Sequence, residues 1–255
     1  MNQEKELETL GRRLIDLADK CDRQGIYTYS DFLGLAEQDV FHRVKTEIGR
    51  CPFTLFGGLE HSERVMVRFG SEEMLGYEEP FPIVCLRIAP AAPKFAEELG
   101  HRDYLGALMN LGFERSLLGD IRIQGKEAFL FCHENMRDVI CEGLTAVRHT
   151  NVRVFEVEAD KLTELHLSES RSVSVNLSSL RIDAIIAKLY NISRGRSQEL
   201  VSGGRVFING RECTQGSAVP RENDIVSVRG VGRFVVRSQV GETRKGKLVL
   251  EVGVF

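Results

Sequence analysis

The sequence predicts an α+β protein built from three successive regions, and three patterns along its 255 residues support that prediction. A helical repeat of apolar residues occupies the first region, and strands alternate with helices in the second. The third region holds a pair of helices followed by a tight hairpin. We place these regions at 1–76, 77–160 and 180–255, with a linker at 161–179.

The first region is predicted to be mainly helical. Apolar residues recur at helical spacing over 3–23, and a second helical pattern ends at Gly49. Phe53 to Phe56 and Arg64 to Phe69, on either side of Gly57-Gly58, indicate a hairpin. Ten Lys/Arg against fourteen Asp/Glu give residues 1–76 a net charge of −4. An acidic surface of this kind is a poor candidate for contact with phosphates.

The middle region predicts a ferredoxin-like domain. Its elements follow the order βαββαβ, with strands at 81–88, 119–124, 127–132 and 151–157 and helices at 95–111 and 134–147. This architecture serves many unrelated functions. Phe129 and Phe131 share one strand face, either as a platform for stacked bases or as core residues. The glycine-rich aromatic signature of such platforms is absent, which favours the core.

The third region predicts two short helices and several strands. Ile182, Ile185, Ile186 and Leu189 form one helical stripe, and Ser193 is placed to cap a second helix that runs to about Val201. The following segments are predicted to be a strand at 205–208, a type I′ turn at 209–210, a strand at 224–229, a glycine-containing turn at 229–233 and a hairpin after 237.

Charge distinguishes the third region from the rest of the chain. Residues 181–238 carry ten Lys/Arg and five Asp/Glu, a net of +5, whereas the whole chain has a net charge of −3. A cationic segment on an acidic protein is typical of a nucleic-acid-binding module, because neutralising phosphates releases counterions. The alternative is a solvated basic surface. Gly230 and Gly232 favour phosphate binding, since glycine lets backbone N–H groups approach an anion closely.

These residues resemble the S4 domain, an RNA-binding module. The matching positions are Arg181, Asp183, Ser193, Arg194, Ser197, Leu200, Gly204, Val206, Asn209, Gly210, Asp224, Val226 and Arg229. The resemblance implies an αL-type helix-turn-helix unit on a small sheet that binds structured RNA. The RNA contacts expected in this region are Arg181, Arg194, Arg196, Ser197, Arg205, Arg211, Arg229, Gly230, Gly232 and Arg233.

A second block, at 94–121, resembles the central domain of the YlmH-type S4 proteins, and 55–60 with Glu63-Arg64 resembles their first domain. The resemblance implies a ribosome quality-control factor, with 23S rRNA, the large ribosomal subunit and tRNA or peptidyl-tRNA as partners. Lys94, His101 and Arg102 are expected to face outward as phosphate ligands. The alternative for this block is a purely structural helix, with an ion pair between Arg115 and Asp120.

Enzyme and metal signatures are missing from the sequence. The six cysteines are scattered without metal-ligand spacing and are expected to be reduced thiols, so we expect no metal and no cofactor. His101-Arg102-Asp103 resembles the His-Arg-Asp motif of a kinase catalytic loop, but no Asp-Phe-Gly motif follows it. We therefore expect no catalytic residues. The alternatives are a pseudouridine-synthase-like RNA-modifying enzyme and a structural protein of cell division.

The same sequence bears on where the protein acts. Its apolar runs are far shorter than a membrane span, and its acidic start differs from a secretion signal. We expect a cytoplasmic monomer without a membrane partner.

Overall fold

The computed structural model describes residues 2–165, 167 and 171–255. The chain divides into two compact units, Met1–Leu167 and Ser168–Phe255. In the described part of the chain, we find no helix with both the length and the apolar character needed to cross a membrane.

The first region folds as two long helices against a small antiparallel sheet. Its elements are α1 (Asn2–Gln24), β1 (Thr28–Tyr29), α2 (Leu35–Val44), β2 (Phe53–Phe56), β3 (Met66–Phe69) and α3 (Glu72–Leu75). β3 lies between β1 and β2. Leu14, Phe41 and Phe69 are completely buried between the helices and the sheet. The predicted first helix and hairpin are confirmed, whereas α2 ends at Val44, before Gly49.

The middle region has the ferredoxin-like topology that its pattern predicts. Its elements are β4 (Ile83–Pro90), α4 (His101–Met109), β5 (Leu118–Gln124), β6 (Glu127–His133), α5 (Arg137–Gly143), β7 (Ala146–Val147) and β8 (Thr150–Val157). The antiparallel sheet has the order β5-β6-β4-β8-β7. α4 begins later than predicted, because Pro93–Phe95 forms a separate 3-10 turn and Gly100 caps the helix.

Phe129 and Phe131 belong to the core. Each is 1% exposed, and they pack with Cys85 on one face of the sheet. Leu59 and leucines that follow β8, at 162, 165 and 167, pack against them. Neither of these two rings is therefore open to a base, and the core interpretation is confirmed.

The first two regions are joined through Arg64 and Asp120. Arg64 donates hydrogen bonds from Nε to the carbonyl of Leu118 (2.8 Å) and from Nη2 to that of Phe32 (2.9 Å). The Asp120 carboxylate accepts the backbone N–H groups of Glu63 and Arg64, both at 2.9 Å, and pairs with Arg122 at 3.2 Å. The expected ion pair of Asp120 with Arg115 is wrong, because Arg115 donates to backbone carbonyls instead.

A short helix, α6 (Ala159–Leu162), and a 3-10 turn end the first unit, and the second unit is a six-stranded sheet with two helices. The elements of the second unit are β9 (Arg171–Leu177), α7 (Ile182–Leu189), α8 (Arg194–Ser202), β10 (Val206–Ile208), β11 (Arg211–Glu212), β12 (Ile225–Val228), β13 (Gly232–Glu242) and β14 (Leu248–Val254). The antiparallel sheet has the order β11-β10-β12-β13-β14-β9. Ile182, Ile185 and Ile186 of α7 pack into its core.

The turns of this unit follow the sequence prediction. Asn209 and Gly210 have φ values of 50° and 75°, which fits the type I′ turn between β10 and β11. The predicted hairpins between β12 and β13 and between β13 and β14 are also present.

The predicted linker at 161–179 is wrong for residues 171–177. They form β9, which pairs with β14 along its whole length. Val175 and Leu177 are buried, while the serines at 172 and 174 lie on the exposed face. The serines that suggested a linker are therefore the solvent face of a strand. Positions 166 and 168–170 of the predicted linker lie outside the described residues.

Candidate nucleic-acid interface

A buried carboxylate organises the cationic end of the two helices. Asp183, in the first turn of α7, has a completely buried side chain. Arg181 donates to it twice, from Nε to Oδ1 at 3.1 Å and from Nη2 to Oδ2 at 2.8 Å. Arg194, at the start of α8, lies 3.6 Å away, and Gln198 donates at 3.4 Å. One carboxylate thus fixes two guanidinium groups whose outer faces remain accessible.

The environment of Asp183 keeps it ionised. Burial alone would raise the pKa of this carboxyl, but hydrogen bonds from Arg181 and Gln198, with the charges of Arg181 and Arg194, outweigh burial. The pKa of Asp183 therefore lies below its ordinary value. Because the pair of arginines has a single counter-charge, this group keeps a net charge of +1.

Two serines stabilise the helix pair α7 and α8 through hydrogen bonds to backbone groups. Ser193 caps α8 as predicted, and its hydroxyl accepts the N–H of Arg196 at 3.1 Å. Ser197 is fully buried, and its hydroxyl donates to the carbonyl of Asp183 at 2.7 Å. The expected RNA contact of Ser197 is therefore corrected to a structural role. Arg196 is exposed and pairs with Glu199 at 2.9 Å.

A second group of cations lies at the turn between β12 and β13. Arg205 Nη2 donates to the carbonyl of Arg229 at 2.8 Å, and the Arg229 N–H donates to the carbonyl of Arg205 at 2.8 Å. The Arg229 guanidinium lies 4.8 Å from the ring centroid of Phe207. Both arginines are exposed. A guanidinium held over an aromatic ring by a cation–π contact can still donate hydrogen bonds to a phosphate or a base.

The two glycines of this turn differ in their roles. Gly230 has a φ of 75° and lies beside the guanidinium of Arg205, as expected for a turn that approaches a ligand. Gly232 packs on Tyr190, and a Cβ there would lie 2.8 Å from that ring. Close packing therefore explains why residue 232 is a glycine, and its expected contact with a phosphate stays a prediction.

Arg233 and Arg211 lie in contrasting positions. Arg233 is buried, 6% exposed, with its guanidinium 4.5 Å from the ring centroid of Phe255. Its expected RNA contact is corrected, because the side chain packs inside the unit. Arg211, the first residue of β11, is exposed and stays a candidate contact.

The three expected ligands of the middle region lie in the other unit. Lys94 is exposed in the 3-10 turn, and its ammonium is 6.0 Å from the ring centroid of Phe95. His101 and Arg102 are the exposed first residues of α4. Partial burial and the charge of Arg115 lower the pKa of His101, so it is a neutral donor at pH 7.

Several residues with a role at these surfaces were missed in the sequence. Asp183 matched the S4 pattern, but its ion pairs with both Arg181 and Arg194 depend on the contact between α7 and α8. Phe207 supports Arg229 from a neighbouring strand, at a spacing that no local pattern reveals. Phe95 is 83% exposed beside Lys94, and an unburied phenylalanine in a polar turn was the only signal available.

The candidate interface presents guanidinium groups and polar side chains at its surface. Within the described residues, no group of three or more His, Cys, Asp or Glu side chains is arranged to hold a metal ion. Arg181 and Asp183 also line a cleft of about 300 Å³ with Gln198, Ser202 and the loop at 214–217. Ordered guanidinium groups around polar hydroxyls and amides suit a ribose-phosphate chain.

Comparisons with known proteins match the middle region and the second unit to described domains. Residues 77–161 match a family model described as "Putative RNA-binding domain in YlmH", and residues 180–226 match the S4 domain. The Ribosome-associated protein quality control protein P2 of Bacillus subtilis (strain 168) is 30% identical over 224 residues, which are 86% of this chain and 83% of that protein. The solved structure of the cell division protein ylmH from Streptococcus pneumoniae aligns with a TM-score of 0.48 and 21% identity, over 63% of this chain and 94% of that one.

Proposed function

This chain belongs to the YlmH-type family of S4-domain proteins, and from that premise we propose that it binds rRNA of the large ribosomal subunit together with tRNA or peptidyl-tRNA. In this role it serves the rescue or quality control of obstructed ribosomes, and the name of its Bacillus subtilis relative assigns ribosome-associated protein quality control to that protein. We propose further that it acts as a non-catalytic, cytoplasmic monomer, and the matches to RNA-binding domains support the non-catalytic part.

The observation that carries the proposal is the pair of ordered cationic groups in the second unit. Asp183 fixes Arg181 and Arg194, and Phe207 supports Arg229. Residues 168–255 hold 14 Lys/Arg and 8 Asp/Glu, a net of +6. Structured RNA offers closely spaced phosphates, and preorganised arginines bind them with a smaller loss of side-chain entropy than mobile ones.

Salt dependence tests the electrostatic part of the proposal. If four to six phosphates are contacted, the logarithm of the RNA affinity falls against the logarithm of salt concentration with a slope of about −3 to −4. Fluorescence anisotropy with a labelled tRNA, from about 50 to 200 mM salt, measures this slope. A flat response would show that the cations of the second unit do not contact phosphates.

Crosslinking in cells, followed by RNA sequencing, tests the identity of the RNA. We expect reads concentrated on 23S rRNA and tRNA. Reads concentrated on messenger RNA or small-subunit rRNA would contradict ribosome rescue and indicate another regulatory role. A variant with alanine in place of both Arg194 and Arg229 is the control for this experiment. The proposal requires that its reads on 23S rRNA and on tRNA are fewer than those of the parent chain.

We also retain the domain division at 1–76, 77–160 and 180–255 as part of the proposal, with β9 added to the last domain. The acidic first domain is then a support for the middle domain, to which Arg64 joins it.

A further inference from the structure

A cleft of about 540 Å³ lies in the middle domain, between α4 and the segment that follows α5. Arg102, Gly106 and Asn110 line one wall, and their spacing of four residues places them on a single face of α4. The other wall is the segment from the end of α5 to the turn before β8, including Gly143, Ala146 and Arg148. The volume is in the range of small-molecule and nucleotide sites.

Two residues of this cleft are unfavourable choices for local structure. Gly106 lies in the middle of α4, where glycine is less stable than alanine. A Cβ at Gly106 would meet nothing within 4 Å, so packing does not require the glycine. Arg148 has a φ of 52°, in the left-handed region that favours glycine or asparagine. The φ of Arg148 follows from the two-residue turn between β7 and β8, whereas Gly106 has no packing reason, and departures without one concentrate at binding sites.

Charged residues and residues with small or apolar side chains line this cleft. Arg148 lies 3.4 Å from Asp103, which also accepts the N–H of Gly100. Among the residues that the structure describes, Arg102 has no ion-pair or hydrogen-bond partner, and it is exposed. The two walls also carry residues with small or apolar side chains, Gly106, Gly143 and Leu111 among them. The cleft therefore offers two guanidinium groups beside an apolar surface for a planar ring.

We propose that this cleft binds one unpaired nucleotide of RNA, with the phosphate at Arg102 and Arg148, the ring over Gly106 and the amide of Asn110 at the base edge. Unpaired nucleotides fit such a concave site because their bases can leave the stack, whereas paired bases stay inside the helix. The proposal rests on the proposed RNA-binding function and adds to it a single-strand contact that the S4 surface does not supply.

Nuclear magnetic resonance of the full-length chain tests the site directly. Titration with adenosine monophosphate should shift the backbone amides of Gly106, Asn110, Gly143 and Ala146. Inorganic phosphate should shift only the amides next to Arg102 and Arg148. Shifts confined to other surfaces, or equal effects of phosphate and the nucleotide, would overturn the proposal.

Two substitutions separate binding from folding. Gly106→Leu fills the open cleft with a strong helix former, and Arg148→Gly removes a cation while suiting the left-handed conformation, so both variants should be at least as stable as the parent chain. Each should abolish the nucleotide-induced shifts and lower affinity for a single-stranded RNA probe about fivefold or more. Arg153→Ala is the matched control, because this exposed β8 arginine does not line the cleft.

The outcomes distinguish this site from the proposed function. If Arg229→Ala weakens RNA binding while Gly106→Leu and Arg148→Gly bind the single-stranded probe normally, the cleft proposal fails and the RNA-binding function stands. If adenosine monophosphate shifts the cleft amides but no RNA binds to the chain, the site is supported and the proposed function fails.

Discussion

The two units of the chain differ in net charge and in the orientation of the arginines that contact other elements. Residues 1–167 hold 20 Lys/Arg and 29 Asp/Glu, a net of −9, whereas residues 168–255 have a net of +6. In the first unit, Arg64 and Arg115 turn inward and donate to backbone carbonyls, and burial lowers the pKa of Arg115 to about 10. In the second unit, Arg194 and Arg229 stay at the surface, each held by a neighbour from another element.

This difference shows that an arginine count does not locate a binding surface. An inward guanidinium has its donors occupied by carbonyls and contributes to stability, whereas an outward one retains donors for a phosphate. The comparison therefore predicts two separable classes of variant, one that loses stability and one that loses affinity for RNA.

The largest expected effect is on stability, from Arg64→Ala. Its side chain donates to the carbonyls of Phe32, Arg115 and Leu118, and loss of three partly buried hydrogen bonds should lower the free energy of unfolding by about 3 kcal/mol. Urea unfolding measures the loss, and the folded fraction should bind RNA normally. Arg137→Ala, which removes an exposed pair with Asp138, should leave stability unchanged. If both substitutions lowered the free energy of unfolding equally, the stabilising role of the inward Arg64 would be contradicted.

The next largest effect is expected from Asp183→Ala. This change leaves Arg181 and Arg194 without their shared carboxylate, and the loss should be about 2 kcal/mol because both arginine side chains are half exposed, at 43% and 56%. RNA affinity should also fall as the two guanidinium groups become mobile. Glu199→Ala is the control, since its pair with Arg196 is exposed on both sides. Normal RNA affinity of Asp183→Ala would show that these arginines are not held for RNA.

Smaller effects, on affinity alone, should follow from Arg194→Ala and Arg229→Ala. Each removes a charge-assisted contact and should weaken RNA binding by about 1–2 kcal/mol while leaving the unfolding curve almost unchanged. Arg229→Lys should give an intermediate affinity, because it retains the charge but loses the planar contact with Phe207. Lys161→Ala, in the acidic unit, serves as the control. If both arginine variants bind normally, the interface lies elsewhere.

The smallest effect is a dependence of stability on pH. Because the folded-state pKa of Asp183 is lowered, its ionised form stabilises the second unit above the ordinary carboxyl pKa of about 4, and this contribution disappears as the pH falls through the folded pKa. Unfolding of the parent chain and of Asp183→Asn should be compared between about pH 2.5 and 6. The difference in free energy between them should shrink towards low pH. A constant difference would contradict the role of the ionised carboxylate.

Local patterns predicted most of the fold. The helical stripe of α7, the cap at Ser193 and the turn at Asn209-Gly210 all depend on neighbours within a few residues, and all three are present. β9 was missed because its serines resemble a linker when its pairing with β14, some 80 residues away, is unknown.

The candidate site was less predictable for the same reason. Ser197 and Arg233 have the residue types of RNA contacts, yet tertiary packing buries both of them. The anchoring by Asp183 and the support by Phe207 likewise join elements that are distant in sequence. Sequence patterns therefore identified the module and its excess of positive charge, whereas the three-dimensional packing decides which arginines can be used.

The pairing of β9 with β14 also determines which cuts in the chain would divide the sheet of the second unit. The S4 family match covers 180–226, but a fragment cut at 180 loses β9, and β14 then becomes an open edge with unpaired N–H and C=O groups. A cut at 226 divides β12 and removes β13 and β14. The compact unit thus begins before the S4 match and ends well after it, so fragments of this protein should be cut outside the six-stranded sheet.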